Sequence, residues 1–307
     1  MRLVIIEPLG VDSEKLLTLA KHILPQELEI TYYDTRVTDT ETLIKRGRDA
    51  DIIAVSNLPM NREVIEGCKN LKMLSVAFTG LDHIALDACK EHGILVSNCA
   101  GYSTAAVSDL VFGMIISLYR KMAACDTAVR NEGTKDGLIG FELEGKKFGV
   151  IGTGAIGLRV ASIARAFGCE VYAYSRTVRN VDNIRYVTLD TLLSTCDIVS
   201  LHVPLTDETR GLIGREQLAL MKKNAILINT ARGPVVDSDA LADALNLEQI
   251  AGAGIDVFET EPPINKTHPL LNAKNAVVTP HVAFATKEAL EKRAVIVFEN
   301  ITRWLER

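Results

Sequence analysis

Gly145-Lys-Lys-Phe-Gly-Val-Ile-Gly-Thr-Gly-Ala-Ile-Gly157 is the stretch on which the reading of this chain turns. Its apolar run at 148–151 predicts a strand, its end predicts a helix starting near Ala155, and between them Gly152, Gly154 and Gly157 are spaced as GxGxxG. In a strand–turn–helix setting each glycine has its own task. Gly152 allows the tight turn, Gly154 lets the backbone approach a diphosphate, and Gly157 lets the helix pack closely on the strand. The helix N-terminus adds partial positive charge, with the amides of Ala155 and Ile156 directed at the ligand. A GxGxxG taken alone is often only a glycine turn; placed between a strand and a helix it points to a dinucleotide.

Outward from this loop, the strand at 170–174 ends in Ser175-Arg176-Thr177. Roughly 20 positions beyond the glycines, an acidic residue usually hydrogen-bonds the adenosine ribose of NAD. No carboxylate stands here. A small hydroxyl followed by a guanidinium suits a 2′-phosphate, which Arg pairs bidentately. The expectation is NADP(H) preferred and NAD(H) possible, with Ser175, Arg176 and Thr177 as contacts; the plainer reading is an exposed loop Arg with relaxed specificity.

Around this core, apolar runs alternate with amphipathic stretches. Strands are predicted at 3–6, 29–33, 51–56, 73–78 and 94–97, and a second series at 148–151, 170–174, 197–203, 225–229, 255–258 and 277–279. Such alternation of short β-branched runs with helices predicts βαβ units and parallel sheets. A long helix over 104–132 is expected between the two series. A last helix over 286–306 carries Leu290, Ala294, Val297, Ile301 and Leu305 on one stripe. The fold class is α/β with two doubly wound parallel-sheet domains, since 307 residues suffice for two cores.

Composition narrows the partners. With 48% hydrophobic and 24% charged residues the chain reads as globular, and a net charge of -5 with scattered Lys and Arg offers no basic stripe for nucleic acid or an anionic membrane. The six cysteines form no CxxC pair, so reduced thiols and no bound metal are expected. Glu7 and Pro8 interrupt the first apolar run, no stretch reaches the roughly 20 residues of a membrane span, and a cytoplasmic location follows by elimination.

Three further segments lie at predicted strand ends: Asn229-Thr-Ala-Arg-Gly233, Asp256-Val-Phe-Glu-Thr-Glu-Pro262 and Thr279-Pro-His281. That edge of an open α/β sheet is the ligand crevice. Reduction of a 2-keto acid needs a cation for the carboxylate and carbonyl, supplied by Arg232, and a proton donor, supplied by His281. Glu261 hydrogen-bonded to the imidazole would favour its protonated form. Each residue also has a structural reading, as a surface charge, a loop carboxylate or a structural histidine; the joint spacing behind a dinucleotide loop favours the chemical one.

With these motifs and Leu201-His-Val-Pro-Leu-Thr-Asp-Glu-Thr209, the chain resembles the D-isomer-specific 2-hydroxyacid dehydrogenase family over nearly its whole length. The resemblance implies a flavodoxin-like substrate domain from residues 1–98 and 285–307, with an NAD(P)-binding Rossmann domain inserted at 99–284. It implies Arg232 as substrate anchor, His281 as general acid or base and Glu261 as its partner, with the amides of Thr79 and Gly80 holding the substrate carboxylate. Asp256 would lie near the nicotinamide carboxamide and Val203 and Pro204 beside the adenosine, with Thr209, Thr230 and Ala231 among the cofactor contacts. His202 reads as a pocket wall rather than a second acid. A homodimer through the long helix is also implied.

The chain departs from the family pattern at Phe78, where many relatives carry Gly, and in residues 132–137, which lack a tryptophan often found there. Phe78 is either core packing or an aromatic wall limiting the pocket to glyoxylate, hydroxypyruvate or pyruvate; Tyr102 either adds a hydroxyl there or packs against the long helix. A nucleotide-sensing corepressor on the same scaffold is the rival from another class, and a phosphoglycerate-type dehydrogenase the closer one. The latter would want basic residues in the loop at 77–82, which has none.

Overall fold

A computed structural model describes residues 1–307. The chain divides into two compact units, Met1–Ser103 with Ala285–Arg307, and Thr104–Phe284. In the first, β1 (Arg2–Ile5), α1 (Ser13–Ile23), β2 (Glu29–Tyr32), α2 (Thr40–Gly47), β3 (Ile52–Val55), α3 (Arg62–Gly67), β4 (Met73–Val76), α4 (Leu86–Glu91) and β5 (Leu95–Asn98) alternate strictly. The sheet is parallel in the order β2-β1-β3-β4-β5, a flavodoxin-like arrangement. Every residue of β3 and β4 is buried, as expected of strands covered on both faces. Asp12, Asp39 and Asn61 start α1, α2 and α3 by accepting amide hydrogens of their first turns.

The second unit holds α5 (Thr104–Tyr119), α6 (Met122–Arg130), β6 (Lys147–Ile151), α7 (Ala155–Ala166), β7 (Glu170–Tyr174), β8 (Ile184–Tyr186), α8 (Leu189–Thr195), β9 (Ile198–Leu201), α9 (Arg215–Leu220), β10 (Ile226–Asn229), α10 (Ser238–Asn246), β11 (Gly252–Ile255) and β12 (Ala276–Val278). Its seven parallel strands run β12-β11-β10-β9-β6-β7-β8, so the order reverses between β6 and β9 and opens a crevice at their carboxyl ends. The chain then closes with α11 (Lys287–Leu305), part of the first unit. There α11 buries Ala294, Val297, Phe298 and Ile301, and the Ser75 hydroxyl of β4 donates to the Val297 carbonyl.

The structure corrects three expectations about elements. The helix expected over 104–132 is two helices, because the chain turns at Lys121 in a left-handed conformation (φ 49°). The Tyr119 carbonyl, which a continuous helix would bond to a residue four positions on, accepts the amide of Phe141 instead. The strand expected at 255–258 lies earlier, at Gly252–Ile255. A Cβ at Gly254 would stand 2.9 Å from Ile228 and 3.0 Å from Met114, so the glycines that hide this strand from a propensity reading let α5 pack on it. The third is β8, a short edge strand without an apolar run, absent from the sequence expectation. No helix is long and apolar enough to cross a membrane.

Candidate active site

The glycine loop has the geometry its spacing predicts. Gly152 has φ +97°, and a Cβ there would lie 2.5 Å from the His202 carbonyl oxygen; a Cβ at Gly157 would lie 2.0 Å from the Gly152 oxygen. Both positions exclude any side chain. Gly154 instead faces open space, with nothing within 4 Å of a Cβ, and it starts α7 without a side-chain cap. The first amides of α7, Ala155 and Ile156 among them, are thus left for an external acceptor. A diphosphate fits this cradle in size and in sign.

At the end of β7, the Thr153 amide reaches the Ser175 hydroxyl and the Thr153 hydroxyl reaches the Thr177 carbonyl, each at 3.5 Å. Thr153, which sequence reasoning passed over, is buried and ties the glycine loop to the segment expected to select the ribose. Arg176 stands exposed, its Nη1 3.7 Å from Glu208. An ion pair so solvated is worth roughly 0–1 kcal/mol and yields readily to a phosphate. The loop after β9 is closed on itself: the Thr209 hydroxyl donates to the Pro204 carbonyl (2.6 Å) and accepts the Thr206 amide (2.8 Å). Thr209 therefore shapes the loop that presents Val203 and Pro204. Beside it, the His202 Nε2 lies 2.9 Å from the buried Ser200 hydroxyl, and burial pushes the imidazole pKa down to about 3. The ring is neutral at any working pH, which suits a wall and not an acid.

Asn229 ends β10 as a buried amide, its Oδ1 accepting the Ala231 amide (3.0 Å) and its Nδ2 donating to the Arg232 carbonyl (2.9 Å). This bracket fixes the backbone from which Arg232 projects. A polar side chain closing a buried apolar strand was the available signal for it. The hydroxyl of Thr230 is buried and meets no partner within the protein. An orphaned buried hydroxyl is costly unless something else satisfies it; with the open cradle at Gly154, it shows that this crevice fits a polar cofactor.

His281 takes a left-handed conformation (φ 55°), uncommon outside glycine. Its amide donates to the Asp256 carbonyl (2.8 Å). The fully buried Asp256 carboxylate accepts the Thr279 hydroxyl (2.6 Å) and the amides of Val282 (2.8 Å) and Ala283 (2.9 Å). Asp256 thus braces the turn that bears His281, a task its sequence position did not reveal. The imidazole Nδ1 lies 2.9 Å from both Glu261 oxygens, with the His281 side chain 13% and Glu261 59% exposed. Phe284 packs edge-on against the ring at 5.5 Å. The pairing expected from sequence is formed, with one ring nitrogen held by a carboxylate.

In the first unit, the loop after β4 is held through its carbonyls, Phe78 accepting the Cys99 amide (3.0 Å) and Thr79 the Asn98 side chain (2.7 Å). No protein acceptor meets the amides of Thr79 and Gly80. Phe78 is buried, edge-on to His83 at 6.3 Å, and the His83 Nε2 lies 2.9 Å from the Ser56 carbonyl. Core packing is the reading of Phe78 that this burial favours. Tyr102 is also buried, beneath the Arg293 guanidinium of α11, 5.6 Å from the ring centroid.

Residues 112–283 match the family described as D-isomer specific 2-hydroxyacid dehydrogenase, NAD binding domain. The chain is 38% identical to a hydroxypyruvate reductase of Blautia hydrogenotrophica, over 90% of this chain and 89% of that one. It is equally 38% identical to a glyoxylate reductase of Thermococcus litoralis, over 90% and 86%. Among solved structures, an acyclic imino acid reductase in complex with NADPH and D-Arg superposes with a TM-score of 0.90 at 33% identity, covering 100% of this chain and 97% of that one.

Proposed function

The chain belongs to the D-isomer-specific 2-hydroxyacid dehydrogenase family, an oxidoreductase with an NAD(P)-binding domain, and from that premise we propose that it reduces a short 2-keto acid of the glyoxylate, hydroxypyruvate or pyruvate type with NADPH. The observation that carries this reading is the His281–Glu261 pair, 2.9 Å apart on a turn braced by Asp256. The bound nicotinamide supplies the hydride. Glu261 holds Nδ1, so His281 delivers its proton from Nε2 to the carbonyl oxygen as charge builds there. Arg232 binds the substrate carboxylate and polarises the carbonyl; within its own unit, the loop at Thr79 and Gly80 offers amide donors suited to a carboxylate. The glycine loop, Thr230, Ala231 and the 202–209 loop would hold the cofactor, and Asp256 would serve the nicotinamide end. The unit Thr104–Phe284 takes the nucleotide and carries Arg232, Glu261 and His281.

A screen of 2-keto acids with NADPH and NADH, followed by nicotinamide absorbance, tests the proposal. Turnover of none of them would return the chain to a nucleotide-sensing role. The preference for NADP(H) rests on Ser175 and Arg176 standing where a carboxylate would repel phosphate. Arg176→Ala is expected to raise the KM for NADPH about tenfold, the worth of one charge-assisted phosphate contact, and to leave that for NADH nearly unchanged. Equal effects on both cofactors would remove Arg176 from the selection.

A homodimer is supported by α6, which buries none of its residues, and by apolar side chains left exposed on and after it: Met122, Val129, Phe141 and Ile139, the last 81% exposed. Such a patch on a single chain calls for a covering surface. Sedimentation is expected to read twice 33.5 kDa, and Ile139→Asp to shift the protein toward the monomer. Six unpaired thiols accord with a cytoplasmic setting.

A further inference from the structure

We propose that Glu259 and His268 form a second imidazole–carboxylate pair whose task is to position Glu261 and the Arg232 turn for proton and hydride transfer. The inference rests on the catalytic roles given above to His281, Glu261 and Arg232.

Residues 260–267, between the two partners, contain no helix or strand, and Glu261 reaches His281 from this loop. A carboxylate on an irregular loop, with more than half of its side chain exposed, keeps its place only if the loop is anchored at its ends. Glu259 and His268 are those ends. The His268 Nε2 lies 2.9 Å from Glu259 Oε2, and its Nδ1 accepts the Leu270 amide at 3.3 Å, which fixes the tautomer with the proton on Nε2, donating to the carboxylate. Phe258 packs edge-on to the same imidazole at 5.1 Å. Side-chain bonds therefore close the neck of the loop where backbone bonds do not.

Glu259 also joins the loop to its surroundings. Burial pushes its carboxyl upward, but hydrogen bonds from Ser238, at the start of α10, and from His268 outweigh that and hold it below the usual carboxylate range. The backbone here lies against the turn that follows Arg232: a Cβ at Gly233 would stand 2.0 Å from the Phe258 carbonyl and 2.6 Å from the Glu259 nitrogen. Through Gly233 the residue after Arg232 is set against the residue two before Glu261. A loosened Glu259 would disturb the proton donor's partner and the substrate's cation together, and displacements near 1 Å at such groups matter to rate.

Glu259→Gln, His268→Gln and His268→Ala, with His281→Ala alongside, test the assignment. Glu259→Gln and His268→Ala are expected to lower kcat about tenfold. The KM for the cofactor should stay within about twofold, since the glycine loop is untouched. A fall in kcat without a matching rise in cofactor KM is the signature of misplaced reacting groups and not of a weakened nucleotide site. His268→Gln, which keeps a donor for Glu259, should retain more activity than His268→Ala and decides the matter if the latter does not fold. Folded variants with unchanged kcat would overturn the positioning role while His281→Ala stays impaired. Unchanged turnover in His281→Ala would instead remove the catalytic reading beneath it.

Discussion

His281→Ala is expected to lower turnover of a 2-keto acid by about 10²–10⁴-fold, the range over which a positioned acid accelerates proton transfer, while cofactor affinity measured by fluorescence titration stays unchanged. The two readouts separate because His281 contributes its ring to chemistry and its backbone to the fold. The amide that bonds the Asp256 carbonyl survives the substitution, as do the Thr279, Val282 and Ala283 contacts to the Asp256 carboxylate. One cost does remain: alanine tolerates the left-handed conformation at this position (φ 55°) poorly, so a small loss of thermal stability accompanies the kinetic loss. His281→Asn, which is at ease in that conformation, controls for it. If His281→Asn retains full turnover, the imidazole is not the acid.

The two histidine–glutamate pairs show how far the sequence could be read. His281 and Glu261 were legible because each is an ionisable residue in a segment that follows a strand, and segments leaving strands on one sheet edge converge whatever their separation along the chain. Glu259 and His268 were not, since each is individually ordinary loop polarity; their meaning lies in the distance between them, 2.9 Å, which no spacing rule supplies. The same holds for Asp256. Its place at the end of β11 announced a site residue, but its bracing of the His281 turn depends on which amides the folded chain turns toward it. Among the strands, β7 could be bounded from its apolar alternation, whereas β11 could not, because Gly252 and Gly254 answer to the helix packed on them and not to strand propensity. Local chemistry is written in the residues; mutual bracing is written in the packing.

Arg232→Ala is expected to lower kcat/KM for the keto acid by about 10³-fold, the combined worth of a charge-assisted carboxylate contact and an oxyanion donor. Both parameters should worsen, KM rising because the carboxylate loses its ground-state partner and kcat dropping because the carbonyl oxygen loses a cation as charge develops. Arg232→Lys sharpens the point. It keeps the charge but replaces a planar fork with a single ammonium, so it should recover part of the KM effect and little of the kcat effect. The fold should tolerate both, because Asn229 brackets this turn through the backbone of Ala231 and Arg232, and the guanidinium's bond to the Ala231 carbonyl (2.8 Å) is local to the turn. Cofactor binding should also stand, since Gly152, Gly154 and Gly157 belong to a different loop. Free guanidinium added to Arg232→Ala, compared with the same addition to His281→Ala, then distinguishes the two roles: a missing cation can be supplied from solution in the first case and cannot in the second. Recovery in neither, with KM unmoved in Arg232→Ala, would mean that the substrate carboxylate is held elsewhere.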